Sequence, residues 1–194
     1  QMSSAEEGSE NALLTRYARV LDEALRPILA GQERPLIVAA AEPMASMFRS
    51  ISTYPFTVSE SLGGSADHTD DHILASEART VLDRLYADDI SALAGLYATR
   101  ENQGRATADL AQASRAATFG AIDTLIVDMD AVIPGSVDDE SGSISFAEGP
   151  GADSYDVLDE IVCRALKSGA RVIAARKDDV PGNKVLAAIL RYPV

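Results

Sequence analysis

The stretch GRATADLAQASRAATFGAIDTLIVD (104–128) carries the clearest folding signal in this chain of 194 residues. Thr107 is placed to cap a helix over Ala108–Phe119, and Gly120 is placed to end it. The run AIDTLIVD that follows, residues 121–128, has an apolar centre and predicts a buried strand. A helix that leads directly into a buried strand predicts an α/β domain.

The same reasoning extends outward along the chain. Short apolar runs predict that four strands share one sheet: residues 36–41, 122–127, 171–175 and 185–190. Helical periodicity predicts helices over 9–30, 70–100 and 153–168, the second packing its Leu82, Leu85 and Leu93 face on the domain. Residues 132–146 read as a hairpin or an extended excursion with an acidic tip. Strands alternating with helices predict a mostly parallel or mixed sheet covered on both faces.

The predicted organisation has three parts. Residues 1–8 are polar and acidic, and we expect them to be disordered or derived from a tag. Residues 9–33 form an amphipathic N-terminal helix that packs on the domain. Residues 34–194 form a single α/β domain, a size that supports a substantial core.

The charge excludes some partners. Seventeen basic residues against thirty acidic ones give a net charge of −13, which repels nucleic-acid backbones. Residues 116–163 hold eleven acidic residues and no Lys or Arg, whereas residues 164–194 carry a net +5. Solvated surface explains such a distribution, and an acidic face that docks a basic partner is the alternative. No apolar run is long enough to cross a bilayer.

Few residues in the sequence suggest a catalytic or metal-binding role. No nucleophile elbow, Walker loop or dinucleotide fingerprint is present, and the lone Cys163 is expected to be a buried apolar residue. His68 and His72 lie four residues apart, but helix capping by the surrounding acidic residues explains that cluster better than zinc does. Asp128 and Asp130 follow a buried strand, where α/β domains place ligands, so a metal-dependent enzyme using this pair stays an alternative. We predict no cofactor and no metal.

Three stretches carry a family resemblance: RPLIVAAAEPMASMFRSISTYP (34–55), the stretch 104–128 quoted above, and GNKVLAAILRY (182–192). Over about residues 12–192 the chain resembles the C-terminal region of the bacterial archaeo-eukaryotic-release-factor-like family, whose relatives are the class 1 release factors and Pelota. The resemblance implies a three-layer α/β/α sandwich with a mixed, mostly parallel sheet. Such a domain is similar to the third domain of release factors and to ribosomal proteins that bind kink-turn RNA.

The resemblance also limits the function. Kink-turn binders carry an Asn-Glu pair and a nearby Lys at the helix opening that corresponds to Gly104, Arg105 and Thr107, and here only Arg105 is basic. The peptide-releasing Gly-Gly-Gln motif is absent, since Gly63 and Gly64 are followed by Ser65.

The sequence therefore predicts a cytoplasmic, non-enzymatic docking domain associated with translation. Its expected partner is a basic protein surface or the ribosome. Its docking candidates are the acidic residues Asp128, Asp130, Asp138, Asp139 and Glu140. RNA binding at Gly104–Thr107 is the rival hypothesis, which the charge disfavours.

Overall fold

A computed structural model describes residues 4–64, 69–149 and 154–193, with side chains from residue 11 onward. The described residues form five α-helices: α1 (Ser4–Leu29), α2 (Met44–Ile51), α3 (Asp71–Asn102), α4 (Leu110–Thr118) and α5 (Val157–Lys167). The chain divides into two compact units, Gln1–Tyr86 and Ala87–Val194, and α3 contributes residues to both.

The first unit is built on two parallel strands, β1 (Leu36–Ala39) and β2 (Thr57–Leu62). The first half of α3 covers one face of this pair, where Val58, Leu62 and Val81 form a small buried core. Helix α1 packs along α2. Because two parallel strands bury little by themselves, this unit depends on its helices for stability.

A buried carboxylate fastens α1 to the rest of the first unit. Asp22 accepts hydrogen bonds from the Thr53 backbone N–H at 2.8 Å and from the Thr53 hydroxyl at 2.9 Å. Arg26, one turn later on α1, forms an ion pair with the same carboxylate at 3.0 Å. The backbone bond from Thr53 is the main cause that lowers the pKa of Asp22, and Arg26 adds to it.

The second unit centres on a four-stranded sheet of order β3–β9–β4–β8. These strands are β3 (Ala106–Thr107), β4 (Ile122–Asp128), β8 (Arg171–Ala175) and β9 (Leu186–Leu190). Strand β4 pairs in parallel with β8 and antiparallel with β9, and β3 pairs antiparallel with β9. The sheet is mixed, as predicted: β3, β4 and β8 run in one direction, and β9 runs opposite to them. Because β9 runs opposite to β8, no crossover helix is needed between them, and two 3₁₀ turns, Lys177–Asp179 and Pro181–Asn183, lie in the connection.

Helices cover both faces of this sheet, which gives the predicted three layers. Along β9, Leu186, Ala188 and Leu190 point to the core shared with α4 and α5. The alternate residues Ala187 and Ile189 point to a second core, which contains Leu93 and Tyr97 of α3. Because β9 is buried on both faces, it carries no polar residue, which is why its sequence predicted a strand.

A three-stranded antiparallel sheet flanks α5. Strand β5 (Pro134–Val137) lies between β6 (Ile144–Phe146) and β7 (Tyr155–Asp156). The hairpin β5–β6 confirms the prediction over residues 132–146. Helix α5 begins at Val157, later than predicted, because the two preceding residues pair with β5 and Asp156 caps the helix through the Leu158 N–H.

Several expectations need correction. Strand β1 does not join the main sheet but pairs only with β2, among the described residues. The chain divides after Tyr86 rather than forming one domain over 34–194, and α1 begins at Ser4, inside the segment 1–8 expected to be disordered. Residues 1–3 lie outside the described residues.

The long helix predicted over 70–100 is confirmed as α3, but its packing face differs in part from the expectation. Leu93 is buried and Leu85 is half-buried, whereas Leu82 is exposed. Cys163 is also exposed rather than buried, because it lies on the outer side of α5.

Candidate functional site

At the helix opening Gly104–Thr107, Arg105 forms hydrogen bonds that join β3 to the end of β9. The guanidinium of Arg105 donates to the carbonyl oxygen of Leu190 at 3.2 Å and to that of Arg191. The Arg105 carbonyl accepts from the Leu190 N–H at 2.9 Å. This cation therefore anchors β3 beside β9, and its charge is directed at backbone carbonyls rather than at a ligand.

Thr107 does not cap α4, contrary to the prediction. Its buried hydroxyl donates to Oε1 of Gln112 at 2.7 Å and accepts from the Asp109 N–H at 3.1 Å. Asp109 is the N-cap, because its carboxylate accepts from the Gln112 N–H at 2.8 Å. A cap that is itself anionic makes this helix start a poor site for a phosphate.

The C-terminal basic residues do not gather around Arg105. Lys184 precedes β9 and Arg176 follows β8, so both lie at the opposite end of the sheet, about 16 Å away along β9. Arg171 begins β8 at the same end as Arg105, but two strands separate β8 from β3, a span of about 14 Å. Arg171, Arg176 and Lys184 therefore do not supply the cluster of cations that an RNA site would require at this helix opening.

Asp128 and Asp130 share a tight turn at the end of β4. Asp128 is buried, and its carboxylate accepts from the Asp130 N–H at 3.1 Å, while the Asp130 side chain is exposed. This arrangement is a local turn that stops the strand. Strand β5 separates this turn from the hairpin tip along the chain.

The tip of the β5–β6 hairpin brings the other three acidic candidates together. Asp138, Asp139 and Glu140 are consecutive and exposed. Asp138 accepts from the hydroxyl of Ser141 at 2.6 Å and from its backbone N–H at 2.7 Å, and these bonds lower the pKa of Asp138. These two bonds favour the ionised form of Asp138 and brace the turn at the tip.

Arg164 of α5, which the sequence analysis did not single out, fixes this tip. Its guanidinium donates to the Asp138 carbonyl oxygen at 3.0 Å and to the Asp139 carboxylate at 2.7 Å. It also donates to the Thr118 hydroxyl at 2.8 Å and to Glu160 at 2.7 Å. With a side chain only 10% exposed, Arg164 joins the hairpin to both α4 and α5.

The backbone of the hairpin at Gly142 lies directly against α4, which attaches the tip to this helix as well. The buried Ser114 hydroxyl donates to the Gly142 carbonyl oxygen at 2.7 Å. Gly142 has φ +69°, and a Cβ there would lie 2.6 Å from the Thr118 hydroxyl oxygen. Only glycine satisfies both the backbone angle and the contact, so this residue lets the tip rest on α4.

An open groove of about 520 Å³ lies beside the tip. Its walls are the ends of α4 and α5, and Arg191 joins these ends by donating to the carbonyl oxygens of Gly120 and Ser168. Phe119, which is 61% exposed, stands at this groove, and Lys167 lines the α5 side. The second unit therefore presents an acidic tip next to an exposed aromatic ring.

Nothing in the described residues points to a metal centre. No group of three His, Cys, Asp or Glu side chains there is arranged to hold an ion. His68, part of the cluster that helix capping by neighbouring residues was expected to explain, lies outside the described residues. None of the described helices has the length and apolar character needed to cross a membrane.

Comparison with known families confirms the predicted resemblance. Residues 1–88 match the family model described as "Bacterial archaeo-eukaryotic release factor family 11". The stretch 34–55, quoted for the resemblance, lies inside this match. No curated protein sequence matches the chain.

One solved structure shares its fold with the whole chain. Archaeal Pelota, in a model of ribosome-bound Pelota and ABCE1, aligns with a TM-score of 0.57 and 18% identity, covering 100% of this chain and 51% of that chain. The C-terminal domain of the Methanosarcina mazei peptide chain release factor aligns with a TM-score of 0.46 and 17% identity, covering 66% of this chain and 98% of that chain. The chain spans about half the length of that Pelota, with which it shares a fold.

Proposed function

We propose that this chain is a non-enzymatic docking domain of a release-factor-like, translation-associated protein, and that it binds a basic protein surface on the bacterial ribosome. The observation that carries the proposal is the acidic hairpin tip, which Arg164 and Gly142 hold in place. Three consecutive carboxylates on a fixed loop suit recognition of lysine and arginine side chains, because little conformational freedom is lost on binding.

The net charge of the chain favours ribosomal protein over ribosomal RNA as the binding partner. A net charge of −13 repels ribosomal RNA, so the contact must fall on a basic ribosomal protein. Phe119 beside the tip offers apolar area that a purely electrostatic contact would lack. The family match and the fold shared with a ribosome-bound Pelota support a role in translation, and such a role would place the chain in the cytoplasm.

The experiment is co-sedimentation of the purified chain with bacterial 70S ribosomes. The test variant is Glu140→Lys, since Glu140 is exposed at the tip. The matched control is Asp88→Lys, which makes the same charge change at an exposed position of α3. We expect the unmodified chain and the control to pellet with ribosomes, and the tip variant to lose at least about tenfold in affinity.

Salt and RNA arms complete the test. Binding through charged groups must weaken as ionic strength rises from about 50 to 200 mM. A chain that never pellets with ribosomes, or a tip variant that pellets like the control, contradicts the proposal. Filter retention of a kink-turn RNA that is lost on Arg105→Ala would favour the RNA alternative instead.

A further inference from the structure

Helix α1 carries a second apolar stripe that its own unit does not cover. Leu13, Tyr17, Val20 and Ile28 are each between 55% and 65% exposed. With Ala24, their spacing of four, three, four and four residues places them within an arc of about 80° on the helix surface. The inner stripe is different, since Ala18 is fully buried.

The borders of the exposed stripe are chemically unequal. One border consists of the half-buried Leu14 and Leu21, which lead into the core of the unit. The other border carries Arg16 and Glu23, which are exposed and have no ion pair or hydrogen bond with another described residue. An apolar stripe edged by unpaired opposite charges is the pattern of a helix–helix interface.

The positions of these two charges determine which partner fits. Arg16 lies four residues before Val20, and Glu23 lies three residues after it. A two-fold axis beside Val20 would therefore place Arg16 of each helix against Glu23 of the other, with the two apolar stripes in contact. The pattern is self-complementary, which is the requirement for an isologous dimer.

We propose that two copies of this chain associate through antiparallel packing of their α1 helices, with the exposed stripe as the interface and two Arg16–Glu23 ion pairs at its border. The helix is 26 residues long, or about 39 Å, so the whole stripe lies along one continuous contact.

The test is sedimentation equilibrium over a hundredfold range of concentration around about 10 µM, where an association of this size is measurable. We expect the unmodified chain to form dimers. Tyr17→Ser combined with Val20→Ser should weaken the dimer at least about tenfold, because it removes apolar contact from both copies. Val132→Ser, at an exposed apolar position of the second unit, is the matched control and should leave association unchanged.

Charge reversal tests the antiparallel geometry. Arg16→Glu and Glu23→Arg should each weaken self-association, because each places like charges together across the interface. An equimolar mixture of the two variants should recover the dimer, since both border positions of one variant are then acidic and face the two basic positions of the other. Circular dichroism checks that each variant remains folded, which is expected because all substituted side chains are exposed.

Three results would overturn the proposal. The first is an unmodified chain that stays monomeric at the highest concentration, as it would if a different protein segment covers the stripe. The second is a stripe variant that dimerises as well as the control. The third is a mixture of charge variants that stays monomeric, which would exclude the antiparallel pairing.

Discussion

Replacing Arg164 should release the acidic tip and destabilise the second unit. Its bond to the Thr118 hydroxyl is charge-assisted and part-buried, and it contributes ~1.5–3 kcal/mol when lost without replacement, whereas the exposed bond to the Asp138 carbonyl contributes less. The pair with Asp139 contributes little, because that carboxylate is 95% exposed and is fully solvated without Arg164. Allowing for water that reaches the freed groups, Arg164→Met should lower the free energy of unfolding by about 3 kcal/mol.

The measurement is urea unfolding followed by circular dichroism, with thermal melting as a check. Methionine keeps much of the apolar stem, so the loss reports the guanidinium rather than a cavity. For a chain of this length, about 3 kcal/mol corresponds to a drop in Tm of roughly 6–12 °C. Asp139→Ala is the matched control, and we expect it to cost less than about 1 kcal/mol. Equal losses for the two variants, or a loss below about 0.5 kcal/mol for Arg164→Met, would refute the reasoning.

Three further predictions concern other contacts. Gly142→Ala should destabilise the second unit by about 2 kcal/mol in urea unfolding, because it combines a positive φ with a clash against Thr118. The folded-state pKa of Asp22 lies below its ordinary value of 3.8, so its stabilising effect is present above that pH and is lost as pH falls through the folded-state pKa. The stability of Asp22→Asn should accordingly depend less on pH below about pH 4. Arg105→Ala should cost about 1–2 kcal/mol without changing filter retention of a kink-turn RNA, since Arg105 bonds only backbone carbonyls among the described residues.

The main sheet was largely predictable from the sequence because burial on both faces leaves a strong compositional mark. Strand β9 is wholly apolar and the centre of β4, Leu125–Val127, is apolar, so these runs stand out from the helices around them. Strand β1 has the same kind of sequence, yet it pairs elsewhere. A four-residue apolar run indicates a strand but contains no information about which strand it will pair with.

The site was predictable only in part, because its geometry depends on residues far apart in sequence. The acidic tip was identified from consecutive carboxylates in a hairpin. Arg164 was missed because its partners Thr118 and Asp138 lie 46 and 26 residues away. Arg105 was interpreted as a candidate ligand-binding cation because nothing local reveals its bonds to carbonyls 85 and 86 residues later.

The order of strands in the second unit also determines when that unit can fold. Strand β9 is synthesised after the other three strands of its sheet, yet it lies between β3 and β4. While a ribosome is still making the chain, β3 has no partner in this sheet, and β4 can pair only with β8 once residues 171–175 emerge. The sheet must therefore close late, around long-range pairings that form slowly. A translation product that stops short of β9 would leave β3 and one edge of β4 unpaired, and we expect such products to aggregate or be degraded.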